Sequence, residues 1–203
     1  MNGEKFIFCI IGKSSVGKDT IINNVTMANS RLSKIIPTTT RPPRQYEING
    51  YDYFFISRES FMKKVDNHQF MEHRKYDVIN KSGNSETWFY GNEFPKSPRS
   101  ILTGSLEMYN SIVSNQNIKD YHVYPIYITI PDDERLYRMI RRESKNSRPN
   151  YKEVARRFIS DNNSFSEKEL LSSGINDSNT FINTNLLEVC EDINKYINNI
   201  INN

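Results

Sequence analysis

The sequence predicts an α/β fold, in which a parallel sheet is flanked by helices on both faces and interrupted by an inserted, mixed β region. Three observations predict this fold. An apolar run over residues 6–11, FIFCII, is followed at once by the glycine-bounded segment GKSSVGKDT. Strand-like and helix-like segments alternate toward both ends of the 203-residue chain, which is the pattern of parallel sheets covered by helices. Residues 37–96 break this alternation with prolines and aromatic, strand-like runs.

The segment over residues 12–20 has the form of a phosphate-binding loop. It follows a buried-strand pattern and opens a helical one, so a glycine turn without a ligand is the less favoured interpretation. In such a loop, backbone N–H groups and the helix N-terminus surround an oligophosphate, and the lysine adds a full positive charge. The residues predicted to bind it are Gly12, Ser14, Ser15, Val16, Gly17, Lys18, Asp19 and Thr20.

Asp19 departs from the usual pattern GxxxxGK[ST], in which a Ser or Thr after the lysine holds Mg²⁺. Because a carboxylate oxygen is a good ligand for Mg²⁺, Asp19 is the predicted metal ligand, at the expense of repulsion toward the phosphates. Thr20 does not simply replace the missing hydroxyl, since one residue rotates it by about 100° around the helix.

The inserted region starts after the first helix and a short strand over residues 34–36. Residues 38–44, TTTRPPR, predict a loop with two fixed cations, because two prolines forbid regular structure there. The segments that follow are a strand over residues 53–56, a helix capped by Ser57 and ending near residue 65, strands over residues 70–76 and 87–91, and a polar turn over residues 81–86 that joins them.

Alternating strands and helices resume after the insertion. A β-branched run over residues 123–130 predicts a buried strand, and Pro131 then opens a helix whose first turn is acidic, as suits the positive end of the helix dipole. The other segments are strands over residues 100–102 and 180–182, helices over residues 106–113, 151–165 and 186–200, and a polar break over residues 144–150 that ends the helix begun at Pro131.

The overall composition excludes only a few functions. A net charge of +3 is too mild to indicate nucleic acid as a partner. No apolar stretch reaches the roughly 18 residues that a membrane-spanning helix needs, so we expect no membrane partner. Cys9 and Cys190 are predicted to pack as small apolar residues, and a reducing cytoplasm is the simplest location.

The motifs TTTRPPR, NGYDYFF, FMEHRKY and WFYG follow the phosphate-binding loop in that order. With them the chain resembles the guanylate kinase family, a group of nucleoside monophosphate kinases, over nearly its whole length. The resemblance implies a P-loop kinase fold with three parts. These are a core of residues 1–36 and 97–203 that binds ATP with Mg²⁺, an insertion of residues 37–96 that binds the monophosphate, and a helical lid within the core at about residues 138–157.

The resemblance also implies roles for individual residues. Arg41, Arg44, Tyr53 and Tyr90 would hold the acceptor's phosphate, which agrees with the forked geometry of a guanidinium group. Glu72 would accept hydrogen bonds from the N1–H and amino groups of guanine. The catalytic residues, which stabilise the charge that spreads over the transferred phosphoryl group, would be Lys18, Arg41 and the lid arginines Arg138, Arg142 and Arg157.

The acceptor pocket departs from the family pattern at four positions. Family members have a serine four residues before the first clip arginine, where this chain has Pro37, and a serine after the Tyr-Gly pair, where it has Asn92. Thr103 and Ser105 occupy the places of two family aspartates. We predict that Asn92, Thr103 and Ser105 line the monophosphate pocket, whose base recognition is therefore altered.

The sequence thus predicts an enzyme that transfers a phosphoryl group from ATP to a purine monophosphate, with GMP or dGMP favoured by Glu72. Two alternatives stay open at this stage. One is a kinase of another, modified nucleoside monophosphate, and the other is a noncatalytic module that binds phosphorylated peptides. A monomer or a homodimer is expected.

Overall fold

The computed structural model describes residues 4–44, 46–79 and 85–202, which form two sheets. The larger sheet has five parallel strands and the smaller has four strands of mixed direction. Helices cover the larger sheet on both faces. The α/β architecture with a flanked parallel sheet is therefore as the sequence predicts.

The central strand of the larger sheet is β1 (Lys5–Ile11), which the phosphate-binding loop follows directly. The spatial order of strands is β2, β7, β1, β8, β9. The other four strands are β2 (Ser33–Lys34), β7 (Arg99–Gly104), β8 (Tyr121–Thr129) and β9 (Thr180–Ile182).

The core lies on both faces of β1, because successive side chains of a strand point to opposite sides. Phe6, Phe8 and Ile10 pack on the side covered by helices α1 (Lys18–Ala28) and α7 (Leu186–Asn202). The alternate residues, Ile7, Cys9 and Ile11, pack on the side covered by α3 (Leu106–Val113). Both faces of this strand are buried, which explains its uninterrupted apolar sequence.

The smaller sheet is built entirely from residues within the predicted insertion. Its strands are β3 (Thr38–Thr39), β4 (Phe54–Phe55), β5 (Phe70–Ile79) and β6 (Ser85–Glu93), in the spatial order β4, β3, β6, β5. Helix α2 (Arg58–Asp66) covers one face, where the rings of Phe61 and Phe70 stack with centroids 4.7 Å apart. Ser57 caps this helix by accepting a hydrogen bond from the backbone N–H of Ser60, as predicted.

Three helices follow β8. They are α4 (Asp132–Glu143), α5 (Tyr151–Ser164) and α6 (Glu167–Ser172). Two short 3₁₀ helices, Gln116–Ile118 and Asp177–Asn179, complete the described elements. No helix of the described residues is long and apolar enough to cross a membrane, and both cysteines are buried and unpaired.

Several local predictions were wrong. Thr38 and Thr39 form a strand rather than a loop, because they pair with β4 and β6 before the prolines begin. Pro131 caps helix α4 instead of lying in its first turn. Helix α6 was missed. Of the predicted turn over residues 81–86, Ser85 and Glu86 belong to β6, and residues 81–84 lie outside the described residues.

Candidate active site

The phosphate-binding loop connects the end of β1 to the start of α1. Gly17 caps α1 with φ 98°, a left-handed conformation that favours glycine. A Cβ atom there would lie 2.5 Å from the Nδ2 atom of Asn183, and a Cβ atom on Gly12 would lie 2.4 Å from the carbonyl oxygen of Ile128. The two glycines of the motif are thus required by close approach of other segments as well as by the turn.

Lys18 folds back over this loop. Its Nζ atom donates hydrogen bonds to the carbonyl oxygens of Gly12 (2.7 Å) and Lys13 (2.9 Å). Burial lowers the pKa of the Lys18 ammonium group, although the nearby carboxylates of Asp19 and Asp161 oppose this change. A positive charge is therefore held at the mouth of a loop of backbone donors.

Side chains from α4 and α5 contact the loop, and no sequence motif predicted them. Asp161 accepts a hydrogen bond from the backbone N–H of Ser14 (2.7 Å), and Lys13 donates to Asn162 (2.8 Å). Arg135, which is fully buried, donates to Asn162 (2.8 Å) and to Asp161 (3.4 Å). One of the loop's N–H groups is thus bound to an internal carboxylate.

Arg41 and Arg44, the arginine clip, lie beyond the end of β3. Arg41 is 4% exposed, and its two terminal nitrogens each donate to a different oxygen of Glu47 at 2.8 Å. The backbone N–H of Arg44 donates to the same carboxylate (2.7 Å). Glu47 was not among the predicted site residues, although it follows the clip by only three positions. Arg41 and Arg44 bind the carboxylate of Glu47 as they would bind the oxygen atoms of a phosphate.

Two aromatic rings border the clip. The Tyr53 ring lies 5.2 Å from the Arg41 guanidinium carbon and 6.3 Å from the ring of Tyr90. Burial and the negative charge of Asp19 raise the pKa of Tyr53. Asp19 is the second residue of α1, so the start of this helix lies close enough to the clip for its charge to act on Tyr53.

One face of the smaller sheet, the acceptor face, carries the predicted base-binding residues. Glu72 pairs with Asn92 and Arg74 pairs with Tyr90 across β5 and β6, so these four side chains share a face. The Oε1 atom of Glu72 accepts hydrogen bonds from Arg74 (2.6 Å) and Asn92 (2.5 Å). The Oε2 atom of Glu72 and the Oδ1 atom of Asn92 are buried without a partner among the described residues. Two buried acceptors therefore lack a partner within the described part of the protein.

Ser105 and Thr103 lie at the carboxyl end of β7. Ser105 caps helix α3 by accepting a hydrogen bond from the backbone N–H of Met108 (3.2 Å). Burial raises the pKa of Tyr76, and the hydroxyl of Ser105 is close enough to oppose that change. Thr103 is half-buried and pairs with Ile10, next to the end of β1. Both hydroxyls thus lie at the border between the two sheets.

A cleft of about 840 Å³ separates the clip from α4 and α5. Arg142 and Arg157 line it opposite Arg41 and Arg44. Desolvation by the cleft walls, together with the charges of Arg44 and Arg157, lowers the pKa of Arg142. The other lining residues are Pro42, Pro43, Val78, Glu86, Trp88, Met139, Glu143, Lys145, Asn146, Ser147, Asn150, Glu153 and Val154.

The third predicted lid arginine, Arg138, does not line this cleft. Its Nε atom donates to Glu134, one turn earlier in α4, at 2.8 Å. Arg157 also has an internal partner, because its Nε atom donates to Glu153 at 2.7 Å. The structure therefore brings Arg41, Arg44, Arg142 and Arg157 together around one cleft, and Lys18 and Arg138 are not among its lining residues.

Asp19 is the carboxylate that directly follows Lys18. It is exposed at the start of α1 and forms no hydrogen bond or ion pair with another described residue. The described residues contain no group of three His, Cys, Asp or Glu side chains that could enclose a metal. Such a donor set suits Mg²⁺, which is commonly held by one or two carboxylates together with phosphates and water.

Comparison with known proteins shows the family of this chain. The family model described as guanylate kinase matches residues 5–198. A guanylate kinase of Prochlorococcus marinus is 30% identical over 150 residues, which cover 72% of this chain and 77% of that protein. A guanylate kinase of Mycoplasmoides gallisepticum is 26% identical over 205 residues, which cover 97% and 93% of the two chains.

A solved structure supports the fold. The crystal structure of guanylate kinase from Anaplasma phagocytophilum matches with a TM-score of 0.64 and 19% identity, covering 98% of this chain and 88% of that one. At that identity the likeness concerns the fold alone.

Proposed function

Because this chain belongs to the guanylate kinase family, we propose that it transfers the γ-phosphoryl group of ATP to GMP or dGMP, giving ADP and the diphosphate. The chain is accordingly a phosphotransferase of the nucleoside monophosphate kinase class. The observation that carries the choice of acceptor is the pair of buried, unpartnered oxygens on the acceptor face, Glu72 Oε2 and Asn92 Oδ1. They suit the adjacent N1–H and amino donors of guanine.

The phosphate-binding loop supports the ATP half of the proposal. Its backbone donors and the N-terminus of α1 provide partial positive charge, and Lys18 provides a full one. We propose that Gly12, Ser14, Ser15, Val16, Gly17, Lys18, Asp19 and Thr20 bind the ATP phosphates. The N–H of Ser14 would then exchange its bond to Asp161 for one to a phosphate oxygen.

The arginine clip supports the acceptor half. Arg41, Arg44, Tyr53 and Tyr90 would bind the GMP phosphate, with that phosphate replacing the carboxylate of Glu47. The attacking phosphate oxygen is already ionised at neutral pH, so the reaction needs no general base. Catalysis by this chain is then positioning and stabilisation of charge.

The lid arginines would act on the charge that develops during transfer. Arg142 and Arg157 line the cleft opposite the clip, so a small closure of α4 and α5 would bring them to the phosphates. Arg138 stays a prediction, and it would first have to leave Glu134. Thr103 and Ser105 stay predictions as lining residues of the pocket.

Asp19 would hold Mg²⁺ bound with ATP, and its carboxylate is free to do so. Held there together with ATP, Mg²⁺ would supply positive charge that offsets the negative charge of the phosphates. The division into a core, an insertion of residues 37–96 and a lid at about residues 138–157 belongs to the same proposal. Two unpaired thiols fit a cytoplasmic enzyme, which we propose to be a monomer or homodimer without nucleic acid or membrane partners.

A panel of nucleoside monophosphates, assayed for ADP formation, tests the function directly. We expect GMP and dGMP to be the best acceptors and Lys18→Ala to abolish turnover, while Lys5→Ala, at the other end of β1, keeps it. Fast turnover of another monophosphate with poor use of GMP would contradict the proposal. Substitution Asp19→Ser tests the metal site, because an unchanged Mg²⁺ dependence would remove Asp19 from it.

A further inference from the structure

Arg74 is a buried cation on the acceptor face to which neither the phosphate clip nor the lid gives a role. It lies two residues after Glu72 on β5 and opposite Tyr90 on β6. Its side chain is 12% exposed, and its guanidinium carbon lies 5.8 Å from the centroid of the Tyr90 ring. A charged group buried this deeply needs hydrogen-bond or ion-pair partners. Its partners show which of its donors remain free.

Two of the three guanidinium nitrogens are bound within the protein. Nη1 donates to Glu72 Oε1 (2.6 Å), and Nε donates to the hydroxyl of Tyr76 (3.0 Å). Burial opposes the charge, but Glu72 and Tyr76 outweigh it and raise the pKa of Arg74. The third nitrogen, Nη2, donates to no other described residue. Arg74 therefore keeps donor hydrogens for a ligand.

Three hydrogen-bonding groups at or next to Glu72 have no partner among the described residues. Arg74 and Asn92 both donate to Oε1 of Glu72, so the carboxylate is held by a neighbour along its strand and by one across the strand pair. What remains is a donor on Arg74, an acceptor at Glu72 Oε2 and an acceptor at Asn92 Oδ1. The Watson–Crick edge of guanine presents the complement, which is O6 as acceptor, N1–H as donor and the amino group as donor.

The neutral side chains near the start of β3 leave no free donor for O6 among the described residues. Thr39 pairs with Tyr90 and so shares the acceptor face, but its hydroxyl donates to the carbonyl oxygen of Phe89 (2.9 Å). Pro37 has no side-chain donor. Thr38 has a buried, unpartnered hydroxyl, but it pairs with Gly91, whereas the acceptor face contains the flanking residues Tyr90 and Asn92. Because side chains alternate along a strand, the hydroxyl of Thr38 lies on the other side of the sheet.

We propose that Arg74 determines specificity by donating a hydrogen bond from Nη2 to O6 of the acceptor's base, beside Glu72 and Asn92. This inference rests on the proposed GMP kinase function. Adenine presents an amino donor where guanine has O6. The amino group and the donor of Arg74 would then face each other, and no hydrogen bond could form. Arg74 thus selects for a 6-oxopurine, while Glu72 and Asn92 select for the 2-amino group.

The test pairs a change in the protein with a change in one substrate atom. We compare kcat/KM for GMP and for 6-thio-GMP, in which sulfur, a weaker acceptor, replaces O6. The wild-type protein should prefer GMP by about 10-fold or more, as expected for a hydrogen bond to a charged group. In Arg74→Ala that ratio should fall to within about 3-fold, because the donor is gone.

Control measurements distinguish a direct contact between Arg74 and the base from an indirect role of Arg74 in orienting Glu72. If Arg74 only orients Glu72, Arg74→Ala lowers kcat/KM for both substrates equally, the ratio is unchanged, and the inference is overturned. The preference for GMP over IMP, which lacks the amino group, should persist in Arg74→Ala. Lys75→Ala removes a charge one residue away on the opposite face and should change neither ratio.

The wild-type protein alone keeps the inference falsifiable if the variant does not fold. Equal kcat/KM for GMP and 6-thio-GMP would overturn the role of Arg74 while GMP turnover leaves the proposed function standing. Absence of GMP turnover would overturn the proposed function and this inference with it.

Discussion

The polar groups at the phosphate end of the acceptor site have hydrogen-bond partners within the protein, whereas some of those at the base end do not. At the phosphate end, Glu47 binds both terminal nitrogens of Arg41 and the backbone N–H of Arg44. At the base end, Glu72 Oε2 and Asn92 Oδ1 are buried without a partner among the described residues. One end is occupied by an internal carboxylate, and the other keeps buried acceptors that no described residue binds.

This difference indicates a division of labour. A bound phosphate must displace the carboxylate of Glu47. The free energy gained by binding at that end is therefore smaller than the strength of the arginine contacts alone. A matching base pairs with acceptors whose desolvation cost was met during folding, and a mismatched base leaves them unpaired. We therefore expect the phosphate end to govern turnover and the base end to govern selection.

The largest expected effect follows loss of the clip. Arg41→Ala removes the bidentate donor and should lower kcat/KM for GMP about 10²- to 10³-fold, a loss typical for a charge-stabilising donor. Steady-state kinetics measures it, with Arg31→Ala as the control, because Arg31 is exposed and bound to Asn198 and Asn202. Kinetics like those of the wild-type protein would place the phosphate elsewhere.

Neutralising the base end should mainly change selection. Glu72→Gln leaves Arg74 buried beside an uncharged partner and should lower kcat/KM for GMP about 10²-fold. We expect a smaller loss for AMP, so the GMP to AMP ratio shrinks. Glu59→Gln, an exposed residue of α2 paired with Lys63, is the control. An unchanged ratio would mean that Glu72 does not face the base.

The Arg41–Glu47 pair should also appear as a pH-dependent contribution to stability. Burial would raise the pKa of Glu47, but hydrogen bonds from Arg41 and from the backbone of Arg44 outweigh it and hold the pKa below its ordinary value. The folded pKa is thus the lower one, so the stabilisation is present above the unfolded pKa of about 4.3 and is lost as pH falls through the folded value.

Urea unfolding of Glu47→Gln tests this expectation. The variant should lose about 1–3 kcal/mol of unfolding free energy at neutral pH, and its difference from the wild-type protein should shrink below about pH 4. The matched control is Glu191→Gln on the exposed side of α7. A difference that stays constant with pH would show that the ion pair contributes nothing.

The smallest expected effect is at Asn92. Asn92→Ser keeps a hydroxyl near Glu72, which Arg74 still binds, so kcat/KM for GMP should change less than about 10-fold. Asn92→Leu, which is similar in size but apolar, should be clearly worse. If the serine variant were as impaired as Glu72→Gln, a hydroxyl at this position could not replace the amide in base recognition.

The sequence predicted those features that neighbouring residues determine. The strand, loop and helix over residues 5–28 follow from a local motif, and the cap at Ser57 follows from its place before a helical pattern. Helix α3 was predicted with its observed bounds, Leu106–Val113, because four of its residues have buried, helix-spaced side chains. The resemblance added the clip and Glu72.

The sequence could not predict contacts between distant residues. Asp161 binds the loop at Ser14 from 147 residues away, and nothing in the polar run around Asp161 distinguishes it from a solvated helix face. Arg74 resembled any charged residue of an exposed strand until the pairing of β5 with β6 placed it beside Glu72. Helix α6, six residues of mixed polarity, has too short a pattern to detect.

The contacts that shape the phosphate-binding loop determine when this loop can fold during synthesis of the chain. Asn183 Nδ2 donates to the carbonyl oxygen of Val16 across 167 residues, and Gly12 lies against the backbone of Ile128. Both supports are synthesised long after the loop. We therefore expect the loop to reach its final form only when nearly all of the chain has left the ribosome, so that ATP cannot assist the folding of shorter nascent chains.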